Sequence, residues 1–330
     1  MAKYDVYGLG NALVDIECEV SPEMLQELGI EKGVMTLLDE ESQNKILKRL
    51  AGTSLQQACG GSAANTVIAV KQFGGNAFYS CKVANDDTGT FYAKDLKECG
   101  VDTNLDLHAP GEGISGKCLV FITPDADRTM NTFLGISSEF STAELVPEAI
   151  AESQYTYIEG YLVSGESSKQ AAIKARELAH GANQRVAFTL SDPNMVKFFK
   201  DGLLEIIGPG VDLLFANESE ALMMAGTDSL EDAIAYLKTL SKRLAITLGP
   251  KGSVIFDGNN LIEIDPVPTD PIDTVGAGDI YAGSVLYAVT HGMGFFDAGR
   301  LGSLAASRLV STVGPRLSTD EVSDLLWEIY

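Results

Sequence analysis

The sequence predicts an α/β fold, a doubly wound and mostly parallel sheet with helices on both faces. From about residue 155 onward, short apolar segments alternate with longer helical ones, as in a parallel sheet that is covered on both faces. Ligands of such sheets lie at the carboxyl ends of the strands, so we expect a site at that edge. The predicted strands are residues 155–163, 185–191, 212–216 and 243–248, and the predicted helices are residues 167–180, 193–207 and 230–240.

The first half of the chain contains strands of two kinds. Residues 4–10 predict a buried strand, whereas residues 14–20 alternate apolar and acidic side chains, as a half-exposed strand does. Residues 115–123 and 128–136 predict two strands around a turn at residues 124–127. The other predicted strands are residues 33–38, 77–84, 253–257 and 261–264, and the other predicted helices are about residues 40–50, 62–73, 87–99, 276–291, 296–313 and 319–330.

The length and charge of the chain limit its possible partners. Its 330 residues, 45% of them hydrophobic, suffice for one large domain with an elaboration or for two domains. The formal net charge of −22, without a stripe of Lys and Arg, argues against binding to nucleic acid or to an anionic membrane surface. A small anionic ligand remains compatible, because the local field at a helix N-terminus can oppose the global field.

The cysteines and the N-terminal residues favour a cytoplasmic protein. The five cysteines are scattered and include no Cys-x-x-Cys, which indicates a reduced protein whose cysteines pack in the core. The three histidines have no metal-ligand spacing. The N-terminal residues contain no apolar signal core, and no apolar run has the length of a membrane span. We therefore expect a cytoplasmic location and no membrane partner.

The glycine-rich segment Asp273-Thr-Val-Gly-Ala-Gly-Asp279 precedes a long apolar run and predicts an anion site. Backbone N–H groups at a helix start bind anions, and Gly276 and Gly278 let the backbone approach a phosphate. A carboxylate beside this site would repel the anion, unless it takes a proton from the group that attacks the phosphate. Asp279 is therefore a candidate general base. Helix capping by one of the first two residues of the segment is an equally compatible interpretation.

Further candidates lie near the start of the chain. Asp15 follows the exit of the first strand, where α/β sheets bind ligands, although it also fits the solvent face of its own strand. The pair Gly60-Gly61 at a helix start lets a substrate touch the backbone, and Asn65 offers a donor and an acceptor one turn later. Close packing of a helix on the sheet is the alternative explanation for these small residues.

Two more candidates carry charge. Arg128 is a notable cation in an acidic chain and would bind a phosphate as a bidentate donor, unless it pairs with Asp125 or Asp127. Asn217 and Glu220 have the spacing of a capping box, and the functional interpretation is a magnesium ion held by Glu220 through water.

Two nucleotide-binding motifs do not match. Residues 8–11 are Gly-Leu-Gly-Asn, but the third glycine of a dinucleotide-binding fingerprint would fall at Leu13, which disfavours a dehydrogenase. Residues 247–252 lack the Lys-Ser/Thr ending of a P-loop.

Taken together, three segments resemble the signatures of the ribokinase (PfkB) family of carbohydrate and nucleoside kinases. They are Gly60-Gly-Ser-Ala-Ala-Asn65 with the ending Phe73-Gly-Gly75, Asn217-x-x-Glu220, and the segment from Asp273 to Asp279. The resemblance spans essentially the whole chain. It implies one ribokinase-like α/β domain over residues 1–330, a small β-sheet lid from segments about 12–20, 33–38 and 105–136, and the use of ATP and Mg²⁺.

Within that family the sequence is most similar to the adenosine kinases. The similarity rests on Gly10-Asn11-x-x-x-Asp15-Ile16, Tyr157-Ile158-x-Gly160-Tyr161, Arg128 with its following segment, and Val313-Gly-Pro-Arg316. It implies that Asn11 and Asp15 bind ribose hydroxyls. By the same resemblance the substrate-binding residues are Asn11, Asp15, Gly60, Gly61, Asn65 and Tyr161, with Met35, Leu38 and Phe133 as further purine walls. The implied ATP-binding residues are Asn217, Glu220, Thr247, Gly249 and Gly252, and a monovalent cation such as K⁺ is implied near Asp273 and Val275.

The implied reaction is transfer of the γ-phosphate of ATP to a primary hydroxyl, the 5′-hydroxyl of adenosine. Asp279 takes the proton of that hydroxyl, while the N–H groups of Gly276, Ala277 and Gly278, together with Arg128 and magnesium, stabilise the developing charge. Closure of the lid excludes water.

Other functions and assemblies remain open at this stage. A kinase of another nucleoside, or of a sugar such as ribose or fructose, is possible because Asn11 and Asp15 suit any vicinal diol. A nucleoside- or nucleotide-binding protein that kept the fold and lost the chemistry is the alternative of another class. Both a monomer and a homodimer are compatible with the sequence. Acidic residues on the lid strand, Glu17 and Glu19, disfavour pairing with a second copy and favour the monomer.

Overall fold

The computed structural model describes residues 2–32, 35–50, 55–124 and 128–329, except for the side chains of Gln56 and Arg128. Its strands, in chain order, are β1 (Tyr4–Leu9), β2 (Leu13–Glu19), β3 (Met35–Leu37), β4 (Gln56–Gly60), β5 (Ala77–Ser80), β6 (Asp102–Thr103), β7 (Gly116–Ile122), β8 (Arg128–Phe133), β9 (Ser153–Glu159), β10 (Arg185–Thr189), β11 (Leu213–Asn217), β12 (Leu244–Thr247), β13 (Ser253–Phe256) and β14 (Leu261–Ile264).

The helices that separate these strands, again in chain order, are α1 (Pro22–Leu28), α2 (Glu40–Arg49), α3 (Ser62–Gln72), α4 (Asp87–Glu98), α5 (Pro147–Ala151), α6 (Glu166–Gly181), α7 (Pro193–Ile207), α8 (Glu218–Ala225), α9 (Leu230–Leu237), α10 (Ala277–Thr290), α11 (Phe295–Val310) and α12 (Thr319–Ile329). Among the residues so described, no helix has both the length and the apolar character needed to cross a membrane.

The main sheet has the architecture that the sequence predicts. Its strand order is β14-β13-β12-β11-β10-β9-β1-β5-β6. Neighbouring strands from β12 to β6 are parallel, and the pairs β12-β13 and β13-β14 at one edge are antiparallel. Helices cover both faces. The prediction of a doubly wound, mostly parallel sheet is therefore confirmed.

Successive side chains along the central strands point to opposite faces of the sheet, so the core is divided into two apolar clusters. In β10, Val186 and Phe188 belong to the apolar cluster beneath α5 to α9, whereas Ala187 belongs to the cluster beneath α3, α10, α11 and α12. In β11, Leu214 joins the first cluster and Leu213 the second. Because both faces are buried, these strands read as continuous apolar runs in the sequence.

A second, smaller sheet has the strand order β3-β8-β7-β2-β4. Four of its strands come from segments that the sequence predicts for the extra sheet, but β4 was not predicted as a strand. β4 is antiparallel to β2 and places Gly60 opposite Leu13 and Ala58 opposite Asp15. The presence of a small additional sheet is confirmed, whereas its action as a lid and the assignment of the chain to one domain stay predictions.

Several predicted strands are longer than the observed ones: residues 77–84 form a strand only at Ala77–Ser80, and the strand predicted at 128–136 ends at Phe133. The strand predicted at residues 155–163 ends at Glu159, and a 3-10 helix follows at Gly160–Ser164. The chain turns there because Gly160 lies against the end of β10, where its N–H donates to Ser191 Oγ at 2.8 Å. Residues 105–115, which are all described and which begin the third predicted lid segment, contain no strand.

Close packing of α3 on α10 brings their first turns together beneath the second sheet. A Cβ atom added at Gly283 in α10 would lie 2.6 Å from both Ala69 Cβ and the Thr66 carbonyl oxygen of α3. Such distances leave no room for a side chain, so glycine at this position sets the separation of the two helices.

Gly283→Ala is expected to lower the free energy of unfolding by about 1–3 kcal/mol, because the added methyl group overpacks the contact between α3 and α10. Urea unfolding measures the change. Gly181→Ala is the matched control, since an added Cβ there meets no heavy atom within 4 Å. That control is expected to leave the free energy unchanged or raise it by up to about 1 kcal/mol. Equal stabilities of the two variants would contradict the proposed role of Gly283.

Candidate active site

A cleft of about 440 Å³ lies between the carboxyl edge of the main sheet and the second sheet. In the main sheet β1 and β9 are neighbours. The strands that follow β1 in this sheet, β5 and β6, lie on one side of the pair, and those that follow β9, namely β10, β11 and β12, lie on the other. The cleft is therefore at the topological switch point, where open α/β sheets bind ligands. The sequence-predicted site residues that line it are Asn11, Asp15, Met35, Gly61, Asn65, Tyr161, Asn217, Glu220, Thr247, Val275, Gly276, Gly278 and Asp279.

Asp279 lies in the first turn of α10 and faces α3 across the cleft. Its carboxylate accepts hydrogen bonds from Ser62 Oγ at 2.7 Å and from Asn65 Nδ2 at 3.2 Å. Burial raises the pKa of Asp279 to about 6, and the two hydrogen bonds oppose that rise. A carboxylate with this pKa is ionised at neutral pH and is more basic than an ordinary aspartate.

The N-terminus of α10 has no side-chain cap in the part of the chain that the structure describes. Gly276 is the N-cap residue with φ of 77°, a conformation suited to glycine, and no described side chain accepts a hydrogen bond from the first turn. Among the described residues, the N–H groups of Gly276, Gly278 and Asp279 have no acceptor. A Cβ at Gly278 would meet no heavy atom within 4 Å, so the cleft has room at this point. The arrangement fits an anion.

The capping interpretation of this segment is wrong. One oxygen of Asp273 accepts the N–H of Val275 at 3.0 Å, and the other accepts the N–H of Gly314 at 2.8 Å. These bonds close the turn before α10 and tie it to the loop after α11, but they leave the helix N-terminus open. Thr274 contributes its carbonyl oxygen, which accepts the Ala277 N–H at 3.3 Å.

Glu159, at the end of β9, is a central residue that the sequence indicates only as part of a candidate segment, residues 159–161, without a specific role. Its two carboxylate oxygens accept the backbone N–H of Asn11 at 2.7 Å and that of Ala63 at 2.9 Å. The side chain is fully buried, and this burial raises its pKa to about 7 against the effect of the backbone donors. Glu159 therefore joins the segment after β1 to the start of α3. An acidic residue closing the apolar strand at 153–159 was the available signal.

Asn65 and Arg316 form a second layer behind Asp279. Arg316 Nε donates to Asn65 Oδ1 at 3.3 Å, while Asn65 Nδ2 donates to Asp279. Because a guanidinium only donates hydrogen bonds, it fixes the amide with its NH₂ group towards the carboxylate. Sequence reasoning used Arg316 only as part of a resemblance, since nothing local connects it to a residue 251 positions away.

Asn11 and Asp15 lie on the side of the cleft that faces the second sheet. The Asn11 side-chain oxygen accepts a hydrogen bond from Ser137 Oγ at 3.2 Å, and its carbonyl oxygen accepts one from Tyr79 at 3.2 Å. Asp15 packs against Gly60, where an added Cβ would collide with its carboxylate. Gly60 thus makes room for Asp15 and does not itself line the cleft within the described residues.

Asn217 and Glu220 form the capping box that their spacing predicts. Asn217 N–H donates to Glu220 Oε2 at 3.0 Å, Asn217 Nδ2 donates to Oε1 at 2.7 Å, and the Glu220 N–H donates back to Asn217 Oδ1 at 2.8 Å. Burial raises the pKa of Glu220 to about 7, and both residues line the cleft. The box holds the Glu220 carboxylate at the cleft in one orientation.

Other predicted residues are divided between the cleft and its surroundings. Tyr161 and Met35 line it together with Leu13, Leu37, Met130 and Leu134, which form an apolar wall. The side chain of Arg128 lies outside the described residues, as do Asp125 and Asp127. In the part of the chain that the structure describes, the predicted site residues that do not line the cleft are Leu38, Phe133, Gly60, Gly249, Gly252, Asp273 and Ala277.

Comparison with known proteins gives relatives across the whole chain. The profile of the pfkB family carbohydrate kinases matches residues 38–322. An adenosine kinase of Dictyostelium discoideum is 26% identical over 97% of this chain and 98% of its own length. Among solved structures, the adenosine kinase of Sinorhizobium meliloti is 34% identical with a TM-score of 0.90, over 99% of this chain and all of that one. A probable sugar kinase of Rhizobium etli is 31% identical with a TM-score of 0.91, over the full length of both chains.

The family profile covers most of the chain, and two solved structures exceed 30% identity over essentially its full length. The chain is therefore a kinase that belongs to the pfkB family of carbohydrate kinases.

Proposed function

We propose that this kinase transfers the γ-phosphate of ATP to the 5′-hydroxyl of adenosine, with Asp279 as the general base. The observation that carries the proposal is the position of Asp279 and the uncapped N-terminus of α10 in one cleft. An ionised carboxylate with a raised pKa is suited to take a proton, and open backbone N–H groups are suited to hold a phosphate. The adenosine kinase relatives supply the choice of substrate.

In the proposed reaction, Asp279 accepts the proton of the attacking hydroxyl. Ser62 and Asn65 donate to the Asp279 carboxylate and hold it in place while that proton is transferred. The open N–H groups at the start of α10, at Gly276 and Gly278, stabilise the charge that develops on the transferred phosphoryl group. Ala277 is held by the Thr274 carbonyl oxygen, so its contribution is to shape the turn.

Magnesium would be held through water by Glu220, whose carboxylate is fixed at the cleft by Asn217. When bound with ATP, magnesium neutralises charge on the phosphate oxygens. The residues present fit such an ion, because Mg²⁺ keeps several waters and needs only one or two carboxylates.

Thr247, Gly249 and Gly252 are proposed to bind ATP. The phosphate role of Arg128 is likewise part of the proposal.

The nucleoside is proposed to lie between the main sheet and the second sheet. Asn11, Asp15 and Gly61 line the cleft beside Asn65 and are proposed to bind the vicinal hydroxyls of the ribose. The purine is assigned to the apolar wall that includes Tyr161 and Met35. A monovalent cation such as K⁺ is proposed near Asp273 and Val275, because Asp273 is a buried carboxylate in the turn before α10.

A sugar kinase is the second candidate function. The Rhizobium etli relative, a probable sugar kinase, matches this chain as fully as the adenosine kinase of Sinorhizobium meliloti does. Asn11 and Asp15 would bind the diol of a sugar as well as that of a nucleoside, so only the part of the cleft assigned to the purine separates the two functions.

ATP consumption against adenosine, inosine, guanosine, cytidine, ribose and fructose, with magnesium and with or without potassium, tests the proposal. Adenosine is expected to give the highest kcat/KM.

Asp279→Asn is expected to lower kcat by roughly 10²-fold or more, because the variant cannot accept the proton. Asp297→Asn is the matched control, since Asp297 also lies in the first turn of its helix but outside the cleft. Preference for a sugar, or normal turnover by Asp279→Asn, would contradict the proposal.

The pH dependence of kcat/KM gives a second test. Asp279 acts as a base only when it is ionised, so kcat/KM for adenosine is expected to fall as the pH drops through about 6, the pKa of this carboxylate. Activity independent of pH between about 5 and 7 would rule out the raised pKa that defines the proposed base. Circular dichroism over the same range shows whether the fold is retained.

Replacement of Arg316 tests the layer behind the base. Arg316→Met keeps most of the apolar stem but releases the Asn65 amide, and it is expected to lower kcat by roughly tenfold through misplacement of Asp279. The variant should also raise the pKa of Asp279, because a weaker bond from Asn65 favours the protonated carboxyl. The midpoint of the acid limb of the pH profile is therefore expected to move to higher pH. Arg308→Met, which breaks a surface pair with Glu328, is the control. A change in stability alone, with an unchanged pH profile, would give Arg316 a purely structural role.

A further inference from the structure

Behind the cleft, Arg316 gathers two cysteines that are distant in sequence. Its Nη2 lies 3.0 Å from Cys59 Sγ, and its Nη1 lies 3.6 Å from Cys99 Sγ. Nη1 also lies 3.3 Å from Asp95 Oδ2. Both sulfur atoms therefore lie against one guanidinium group. We refer to Cys59 and Cys99 as the thiol pair.

The surrounding elements hold this pair in position. Asp95 lies in α4 one turn before Cys99, the residue that caps this helix, so both side chains face the same way. Asp95 Oδ2 accepts the backbone N–H of Cys59 at 2.7 Å, which joins α4 to β4. The two thiols therefore lie beside the same guanidinium, on elements that are already fixed to each other.

The two thiols differ in exposure and in charge. Cys59 is fully buried, whereas Cys99 is partly exposed. Interaction with the Cys59 thiol and the charge of Arg316 lower the pKa of Cys99, whereas interaction with Cys99 and burial raise the pKa of Cys59. Burial, with the charge of Asp15, raises the pKa of Cys118 to about 12. A partly exposed thiolate beside a cation and next to a second thiol is the setting of a reactive cysteine.

The thiol pair is also connected to the proposed base. Arg316 contacts both sulfur atoms and donates to Asn65, and Asn65 donates to Asp279. Cys59 directly precedes the Gly60-Gly61 pair at the cleft. A change in the charge or position of either sulfur atom therefore acts on the group that orients the Asn65 amide.

We propose that the thiol pair is an oxidation site, at which peroxide joins Cys99 to Cys59 and thereby lowers kinase activity through Arg316 and Asn65. The loss of kinase activity rests on the proposed function, whereas the formation of the disulfide does not. The sequence favours core packing for these cysteines and gives no sign of their contacts with Arg316, which arise only in the folded chain.

The chemistry proceeds in two steps. The Cys99 thiolate attacks one oxygen of hydrogen peroxide, the O–O bond breaks, and Cys99 sulfenic acid and hydroxide form. The Cys59 thiol then attacks the sulfenic sulfur, the S–O bond breaks, and the disulfide forms with release of water. Two sulfur atoms are oxidised by two electrons in total, and the peroxide is reduced to water and hydroxide. A thiol reductant reverses the change by exchange.

Mass spectrometry of the full-length protein tests the formation of the disulfide without any substrate. The reduced protein is treated with a few equivalents of hydrogen peroxide, alkylated and digested with trypsin without reduction. Cleavage after Lys and Arg releases Cys59 in residues 50–71 and Cys99 in residues 98–117. The expected product is a disulfide between these two peptides. Unlinked peptides, or alkylation of Cys99 at pH 7 no faster than that of the buried Cys118, would overturn the proposal.

Kinase assays of the same samples test the loss of kinase activity. Peroxide is expected to lower kcat of the native protein by roughly tenfold, with recovery after reduction, because Arg316 loses its hold on Asn65. Cys99→Ser and Cys59→Ser, each compared with itself before oxidation, should be insensitive to peroxide. Cys18→Ser, whose sulfur is buried in β2 away from Arg316, should remain as sensitive as the native chain.

The outcomes separate the two proposals. A linked peptide with unchanged kcat would overturn the effect on activity. Sensitivity that survives in Cys99→Ser would overturn the assignment of the thiol pair. If the reduced protein phosphorylates no substrate of the panel, the proposed function fails, while a linked peptide between residues 50–71 and 98–117 still supports the oxidation site.

Discussion

The site depends on the contact between the Asp279 carboxylate and the first turn of α3. The carboxylate accepts hydrogen bonds from Ser62 and Asn65, which precede Asp279 by 217 and 214 residues in the chain. These bonds are possible only because α3 and α10 pack closely, and Gly283 permits that approach. The carboxylate is thus held away from its own helix N-terminus, which leaves the backbone N–H groups open for an anion.

The second sheet and the switch point depend on another buried carboxylate. Glu159 at the end of β9 binds the backbone after β1 and the backbone at the start of α3. Later strands of the main sheet are added beyond β1 on one side and beyond β9 on the other, and Glu159 lies at the carboxyl end of β9, where the two series diverge. The segment with Asn11 enters the second sheet from this point, so one side chain positions both halves of the cleft.

The sequence predicted the main sheet well, because burial on both faces gives β9 to β12 continuous apolar runs separated by clear helices. It did not predict β4, whose residues Gln56–Gly60 have few apolar side chains and form a strand only by pairing with β2. It also extended β9 beyond Glu159, because Tyr161, Leu162 and Val163 continue the apolar run through a 3-10 helix. In both cases tertiary contacts override the local pattern.

In the site, the sequence indicated the residues that belong to short motifs. Asp279, Asn65 and Glu220 lie in local patterns with a clear chemical meaning. The contacts of Arg316 and Glu159 were not predicted, because they join residues 251 and 148 positions apart, although Glu159 was part of a candidate segment at the end of a strand. The capping interpretation failed for the same reason: Asp273 binds Gly314, which only the folded chain brings to it.

The buried carboxyls at the cleft have a thermodynamic consequence. Burial raises the pKa of Asp279 to about 6 and that of Glu159 and Glu220 to about 7. A carboxyl with a higher pKa in the folded chain stabilises the fold below its unfolded pKa of about 4, and this contribution is lost as the pH rises through the folded value. As the pH rises through these values the three carboxyls become ionised, Asp279 before the two glutamates, and their ionised forms oppose folding.

Carboxylates elsewhere act in the opposite direction. Asp95 and Asp212 have pKa values below the ordinary range, because hydrogen bonds and nearby cations outweigh their burial. Their contribution is present above the unfolded pKa and is lost as the pH falls. The fold thus places stabilising carboxylates in structural contacts and destabilising ones at the cleft. The raised pKa that makes Asp279 a better base is the same property that makes its ionised form unfavourable for folding. The packing of α3 against α10 and the hydrogen bonds from Ser62 and Asn65 offset this cost and keep the carboxylate in place.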